Sequence, residues 1–519
     1  MNKDKDYLLA IDNGTQSVRA LVFDLDGQLI AKSKVEIEPY FSDQPGWAEQ
    51  HVEYFWENVC AACQALWPQL PFPRTAIRAV ALTTQRATVV NLDSEGKPLR
   101  PAILWLDQRE EKNLPGMGLW GPVLALLGAK PSVTSFRSQA EAHWISRRQP
   151  EIWDKTARFL LLSGYHSYRL TGKYVDSVAS QVGYLPFDFK RQDWCRPGDW
   201  KWKALPIRRE QLPDLVPAGS PLGAITARAA SETGIPVGLP VISAGADKAC
   251  EVLASGSLNA STGSLSYGTT ATYNTTDSRY LEAIRLVPPY PAAMPGSYNL
   301  ETIVQRGYWM VNWFKREFGM REQRIANERG IEPEVLFDEL LRQVPPGSMG
   351  LVLQPYWSPG VRVPGPEAKG AIIGFGDIHT RAHIYRAIIE GLAYALREGR
   401  ERHEQRSGNR ISTLRVSGGG SQSDEVMQIT ADIFGMAVER PHTYETSGLG
   451  AAINAAVGIG LYPDYATALE HMTHVGDRFL PVAENVRIYD KLYREVYRNM
   501  YGRLNPLYKS IRKITGYPA

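Results

Sequence analysis

One stretch near the start of the chain restricts its fold more than any other: Tyr7-Leu-Leu-Ala-Ile-Asp12-Asn13-Gly14-Thr15-Gln16-Ser17-Val18-Arg19-Ala-Leu-Val-Phe23-Asp24. Two apolar runs of strand length flank a Gly-Thr turn, an acid ends the first run, and hydroxyls occupy the turn, which predicts a strand-turn-strand hairpin. Such a turn suits phosphate. Glycine lets backbone N–H groups approach an anion, Thr15 and Ser17 can donate hydrogen bonds, and Asp12 could hold a Mg²⁺ that arrives with the phosphates. An ordinary hairpin with a polar turn fits the same letters, and this stretch alone does not choose between the two.

Further along, polar clusters stand repeatedly at the ends of apolar runs. A strand at 79–83 delivers Thr84-Gln85-Arg86-Ala87 and another follows at 88–92; the next apolar run ends in Trp105-Leu-Asp107-Gln-Arg109. Sheet proteins tend to bind ligands at such strand ends, although each cluster taken singly reads more readily as a solvated end than as a site. A strand from Pro240 runs into Gly245-Ala246-Asp247-Lys248 and then a helix, so Asp247 is expected at or near a helix N-terminus, where an N-cap role competes with a chemical one. The turn Gly268-Thr269-Thr270-Ala271, again between strands, echoes the opening hairpin about 250 residues earlier and suggests a duplicated fold with a nucleotide between its halves. Gly418-Gly419-Gly420 joins a strand at 414–417 to a helix whose apolar positions 426, 429, 430, 433 and 434 share one face, with Gly435 closing it.

The remaining segments read as structure. Residues 131–184 look helical, 185–220 look like an aperiodic surface wrap, 354–364 a Pro-rich rigid loop and 380–399 a helix. His379 and His383 lack the intervening Glu of a zinc-protease motif and are expected to cap or face solvent. Gly448-Leu-Gly450 opens a small-residue helix without the third glycine of a dinucleotide fingerprint. Tyr489, Tyr493, Tyr497 and Tyr501 form a packing stripe, and Cys60 and Cys63, with no second pair, are expected as helical thiols.

The totals exclude several classes. At 519 residues two large domains or three smaller ones are expected, and 58 basic against 55 acidic residues leave only +3, so neither nucleic acid nor a membrane surface is an expected partner. No apolar run reaches the roughly 18 residues of a membrane helix and the first residues are charged, which leads to an expected cytoplasmic location.

Taken in order, these motifs resemble the FGGY family of carbohydrate kinases, within the actin-like ATPase superfamily. The resemblance runs from Tyr7 to about Tyr501. It is carried by Asp12 to Arg19, Thr84-Gln-Arg86, Trp105 to Arg109, Gly245-Ala-Asp247, Gly268-Thr-Thr270, Arg386-Ala-Ile-Ile-Glu390-Gly391, and Ser417 to Asp424 with Gly450-Ala-Ala. It implies an α/β fold of two ribonuclease-H-like (actin-like ATPase) domains, mixed β-sheets flanked by helices, with ATP in an interdomain cleft; the expected division is 1–245 and 246–519. The resemblance also assigns residues. Asp12, Gly14, Thr15, Gln16, Ser17 and Arg19 would surround the phosphates, Gly268, Thr269 and Thr270 would form a second phosphate loop, and Gly418, Gly419, Gly420 and Asp424 would line the adenosine. Asp247 would be the catalytic base, with Asp12 and Asp247 on the Mg²⁺ side. Gln85, Arg86, Trp105 and Asp107 would face the acceptor; Lys248, a departure from the family, either meets the acceptor, lowers the proton affinity of Asp247 or turns to solvent.

The expected reaction is ATP-dependent phosphorylation of a hydroxyl of a small ketose or alditol, with a homodimer as the only assembly entertained. Glycerol is not the expected acceptor: glycerol kinases carry an acid where Ala87 stands and a Gln where Lys248 follows the base. Glu141 also departs from the family, which often has Lys shortly before the tryptophan matched by Trp144. The rival reading is a non-catalytic actin-like ATP-binding scaffold or regulatory protein, which has no need of Gln85, Arg86 and Trp105 to Arg109 together.

Overall fold

The computed structural model describes residues 6–358, 360 and 364–517, so the loop expected at 354–364 lies partly outside the described residues. The chain divides into two compact units. The first comprises 1–258, 276–299 and 445–474, and the second 259–275, 300–444 and 475–519. A single cut at 245/246 treats the chain as two consecutive blocks, whereas packing interleaves them: the helix Thr446–Gly458 lies against the helix Asp247–Ala254 and the strands Tyr7–Asn13 and Ile77–Thr84, and so belongs to the first unit.

The first unit is built on a six-stranded mixed sheet in the order Pro221–Ala224, Pro240–Ser243, Ile77–Thr84, Tyr7–Asn13, Ser17–Asp24, Leu29–Glu36. The predicted hairpin is its centre, with Asp12 opposite Arg19 in antiparallel register. Strand Ile77–Thr84 runs parallel to Tyr7–Asn13, and Pro240–Ser243 parallel to Ile77–Thr84, so Asn13, Thr84 and Ser243 all end at the same sheet edge. Both faces are covered, which explains why these strands read as continuous apolar runs. One face packs against the helix Val52–Leu66 and the other against the helices Asp247–Ala254 and Thr446–Gly458. The last two cross closely because of a glycine: a Cβ on Gly450 would stand 2.0 Å from the Cys250 carbonyl oxygen.

In the second unit the strand order is Tyr298–Val304, Ala271–Asp277, Thr262–Tyr267, Thr413–Ser417, Val438–Pro441, Val475–Phe479. Thr262–Tyr267 is antiparallel to Ala271–Asp277 and parallel to Thr413–Ser417, which is in turn parallel to Val438–Pro441. Hairpin, parallel third strand and parallel fourth strand thus recur as in the first unit, giving the faint Gly-Thr echo a structural basis.

Three expectations change. Residues 158–161, inside the segment read as helical, form the strand Arg158–Leu161, because Phe159, Leu160 and Leu161 pair antiparallel with Val89–Leu92 and are buried on a four-stranded sheet. Residues 185–220 do not merely wrap the surface: Phe187, Trp194, Leu205, Ile207 and Leu212 are buried in one cluster with Trp144 and Trp153. Asp247 is not an N-cap, since Ala246 holds that place and Asp247 is the first helical residue. The tyrosine stripe does pack, with Tyr489, Tyr493 and Tyr497 against Tyr394, and a π-helical segment Leu492–Tyr497 keeps the four-residue spacing in line. Cys60 and Cys63 are free thiols on the helix Val52–Leu66, pushed up by burial. His383 caps its helix, its Nδ1 accepting from the Thr380 N–H.

Candidate active site

The hairpin turn of the first unit is held from three sides. Gly14 N–H donates to Ser17 O at 3.0 Å and closes it. A Cβ at Gly14 would meet only Ser17 O at 3.5 Å, an ordinary contact, so the fold does not itself demand glycine there and that face of the turn stays open to a ligand. Beneath it, Asn13 Nδ2 donates to Gly14 O at 3.1 Å, and Asn13 Oδ1 pairs with Nε2 of buried His166 at 2.8 Å. Burial pushes His166 down to about 3, so its imidazole is neutral. At the tip, the Thr15 hydroxyl donates to Gln85 Oε1 and accepts from Trp105 Nε1, both at 3.0 Å.

Beside the turn the chain gathers charge. Asp12, buried at the end of its strand, accepts from Arg19 NH1 at 3.3 Å; the same guanidinium nitrogen donates to Glu445 at 3.2 Å, and Lys32 also pairs with Glu445. Burial raises the Asp12 carboxyl to about 7; Arg19 opposes this, while Asp247, Glu445 and Glu251 add repulsion. Asp247 is half-buried and accepts from the Lys248 N–H at 2.7 Å. Its carboxyl is also raised, burial outweighing the nearby cations Arg86 and Lys248. Lys248 lowers the proton affinity of Asp247, but burial outweighs it. Its ammonium pairs with Glu251 at 2.5 Å. A carboxylate raised towards neutrality is a better proton acceptor than an exposed one, and a group of acids this close attracts a divalent cation.

Among the described residues no cluster of three or more His, Cys, Asp or Glu is placed to hold a metal. Asp12 and Asp247 nevertheless fit Mg²⁺ of the kind that keeps several waters and takes one or two carboxylates plus phosphate oxygens.

The residues expected on the acceptor side divide. Gln85 is 3% exposed, its N–H donates to Asn13 O at 2.9 Å, and its Nε2 has no partner among the described residues. The Arg86 guanidinium lies 5.3 Å from the centre of the Tyr290 ring, and Ala87 beside it adopts φ +52°. Asp107 corrects the expectation that it faces a substrate. Its two oxygens accept from the N–H, Nε and NH2 of Arg109 and from the Ala48 N–H, which fills its four acceptor positions. Arg109 is clamped between Trp47 and Trp144, at 4.0 and 4.5 Å, so the pair acts as a bracket beneath the Trp105 turn. Glu445, His166 and Asn13 were missed by sequence reasoning; Glu445 lies 426 residues from Arg19, and no local pattern marks it.

In the second unit, Gly268 O accepts from Tyr308 N–H at 3.0 Å, Thr269 O from Trp309 N–H at 3.3 Å, and Thr270 Oγ1 donates to Gln305 O at 3.2 Å. The glycine run is not uniform. Gly418 has φ +81° and a Cβ there would lie 2.8 Å from the Tyr267 backbone; at Gly420 it would strike the Tyr308 ring at 2.3 Å; at Gly419 it would meet nothing within 4 Å. The Tyr308 ring thus packs against Gly420, while Gly419, of the three, faces open space among the described residues. Asp424 begins the helix Asp424–Phe434 and accepts from Arg440 at 2.7 Å.

The N-terminal domain of the FGGY family of carbohydrate kinases matches residues 7–254, and its C-terminal domain matches 263–459. The chain belongs to this family. It is a carbohydrate kinase, a phosphotransferase whose phosphoryl donor in this family is ATP. An uncharacterized sugar kinase, YgcE, of Escherichia coli is 30% identical over 96% of this chain and 93% of its own length. The xylulose kinase of Lactococcus lactis is 28% identical over 95% and 97%. Among solved structures, the xylulose kinase of Rhodospirillum rubrum superposes with a TM-score of 0.80 at 26% identity, covering 97% of this chain and all of that one. The two-domain kinase fold anticipated from the motif order is therefore the fold of the chain. No described helix is long and apolar enough to cross a membrane.

Proposed function

We propose that this FGGY kinase transfers the terminal phosphoryl group of Mg-ATP to a hydroxyl of a small ketose or alditol, with a pentulose such as xylulose the first acceptor to try. The observation that carries the reading is the placement of Asp247: it opens a helix at the end of a central strand, half-buried, its proton affinity raised by burial, in the electrostatic field of Asp12. Asp247 takes the proton of the acceptor hydroxyl as the phosphoryl group arrives, and Arg86 and Lys248 hold the acceptor oxygens. Gly14, Gln16, Ser17 and Arg19 address the phosphates. Gly268, Thr269, Thr270, Gly418, Gly419, Gly420 and Asp424 contact the nucleotide from the second unit. Asp12 and Asp247 would hold Mg²⁺, which would supply charge neutralisation on the phosphates. The xylulose kinase relatives support the acceptor class, and Ala87, which brings no carboxylate to the acceptor side, speaks against glycerol.

The test is an ATP-consumption screen over pentuloses, hexuloses, tetritols and pentitols, with glycerol as the expected poor substrate. Turnover of glycerol above all of these overturns the acceptor assignment. Absence of turnover with every one of them, alongside stabilisation by nucleotide alone, would favour the scaffold reading instead.

A further inference from the structure

A threonine hydroxyl has one proton to give, and in this structure the Thr15 proton is already given. It points at Gln85 Oε1, while Trp105 Nε1 donates to the same hydroxyl oxygen, both at 3.0 Å. Thr15 sits at the tip of the phosphate turn, Gln85 and Trp105 at the ends of acceptor-side strands, so these two bonds tie the two sides of the site together. Gln85 is 97% buried, yet its Nε2 has no partner among the described residues, leaving an unsatisfied donor whose burial costs free energy until an acceptor oxygen reaches it.

Resting on the phosphotransfer reading above, we propose that Thr15 is a positioning residue that makes nucleotide grip conditional on the acceptor. Gln85 and Trp105 withhold the Thr15 proton from the phosphates. An acceptor hydroxyl that accepts from Gln85 Nε2 and donates to Gln85 Oε1 takes the place of Thr15 at that oxygen. Thr15 then turns its proton to a phosphate oxygen, where a charge-assisted bond is about twice as strong as the neutral one it leaves. Coupling of this kind is reciprocal, so nucleotide strengthens acceptor binding by the same factor.

The test needs no acceptor at first. The affinity of Mg-AMPPNP is measured calorimetrically for the wild type, Thr15→Val, Thr15→Ser, Gln85→Leu and the double variant Gln85→Leu/Thr15→Val, after thermal melts have shown each to be folded. Without acceptor, Thr15→Val changes the affinity by less than about twofold, because the proton was not on the phosphate. Gln85→Leu frees the hydroxyl and tightens binding roughly tenfold; the double variant loses that gain, a non-additivity that general loosening of the site would not produce. With the best acceptor of the screen present, Thr15→Val costs the wild-type background roughly tenfold and Thr15→Ser restores it. A tenfold loss from Thr15→Val without acceptor, or no gain from Gln85→Leu, overturns the inference and leaves the kinase assignment intact. Failure of the wild type to bind Mg-AMPPNP at all overturns the phosphotransfer reading and the inference with it.

Discussion

The two hairpins share a scaffold and differ in what holds their turns. Each is the antiparallel start of a mixed sheet whose next strand runs parallel to the first, and each carries Gly-Thr at its bend. The first turn is fastened by side chains: Gln85, Trp105, Asn13 with His166, and, on the flanking strands, Asp12 with Arg19 and Glu445. The second is fastened mainly by backbone, its Gly268 and Thr269 carbonyls receiving N–H groups from Tyr308 and Trp309 at the start of a helix. A turn fastened by titratable and hydroxyl groups can change its bonding as ligands arrive; a turn fastened by backbone can only be present or distorted. On the assignment proposed above, metal binding falls to the first hairpin and nucleotide grip to the second, although the sequence writes their turns in nearly the same letters.

The largest effect expected is at Asp247, in the electrostatic field of Asp12 on the first hairpin. Asp247→Asn should lower kcat by about 10²–10⁴-fold while leaving the affinity for metal-free ADP within about twofold, because an amide cannot take the acceptor proton. Steady-state rates and calorimetry decide it; a variant retaining a tenth of the activity removes Asp247 from the base role. The next effect lies in the second unit. Gly418→Ala forces a side chain into φ +81° against the Tyr267 backbone, which should cost about 1–3 kcal/mol of stability in chemical denaturation. It should raise the KM for ATP severalfold and leave the KM for the acceptor unchanged. The reverse pattern, acceptor KM raised and ATP KM untouched, would exchange the roles given to the two hairpins.

Much of this contrast was invisible in the letters for a physical reason. Apolar runs, turn glycines and the Asp at a strand end are local signals, so the central hairpin, its echo and the helix that Asp247 opens could be read directly. Side-chain partners across the fold are not local. Asp107 looked like a ligand because an acid beside Trp and Arg at a strand end is what a sugar site needs; only the structure shows Arg109 and the Ala48 N–H filling its oxygens. Residues 158–161 looked helical because a short apolar run carries no period, and pairing with Val89–Leu92 made them a strand. Glu445 opens the last excursion of the chain into the first unit, and nothing around it announces that Arg19 and Lys32 will meet it there.

The smallest effect compares buried acids between the units. Glu141, half-buried at the start of the helix Glu141–Arg148, is raised from 4.5 to about 8, chiefly by burial; its own backbone N–H and Arg109 oppose the shift, and Asp107 adds to it. Between those two values the folded chain holds a proton that the unfolded chain has lost, so stability falls as pH rises from about 4.5 to about 8 and the penalty is complete above that. Glu141→Gln removes the penalty. Its melting temperature should match the wild type near pH 4.5 and exceed it by pH 8.5, an increment on the order of 1 kcal/mol once water reaching the half-buried carboxyl is allowed for. Glu390 in the second unit is also raised by burial, but it differs in being partnered: Arg386, the Tyr489 hydroxyl, the Gly347 N–H and the Ser348 hydroxyl all address its oxygens. Glu390→Gln leaves the buried Arg386 charge uncompensated and should lower the melting temperature even at high pH. Thermal melts of both variants across pH 5 to 8.5 separate the two cases. A pH-independent loss from Glu141→Gln would mean that its carboxyl is partnered like that of Glu390, and the first unit would lose one of the titratable groups that set it apart.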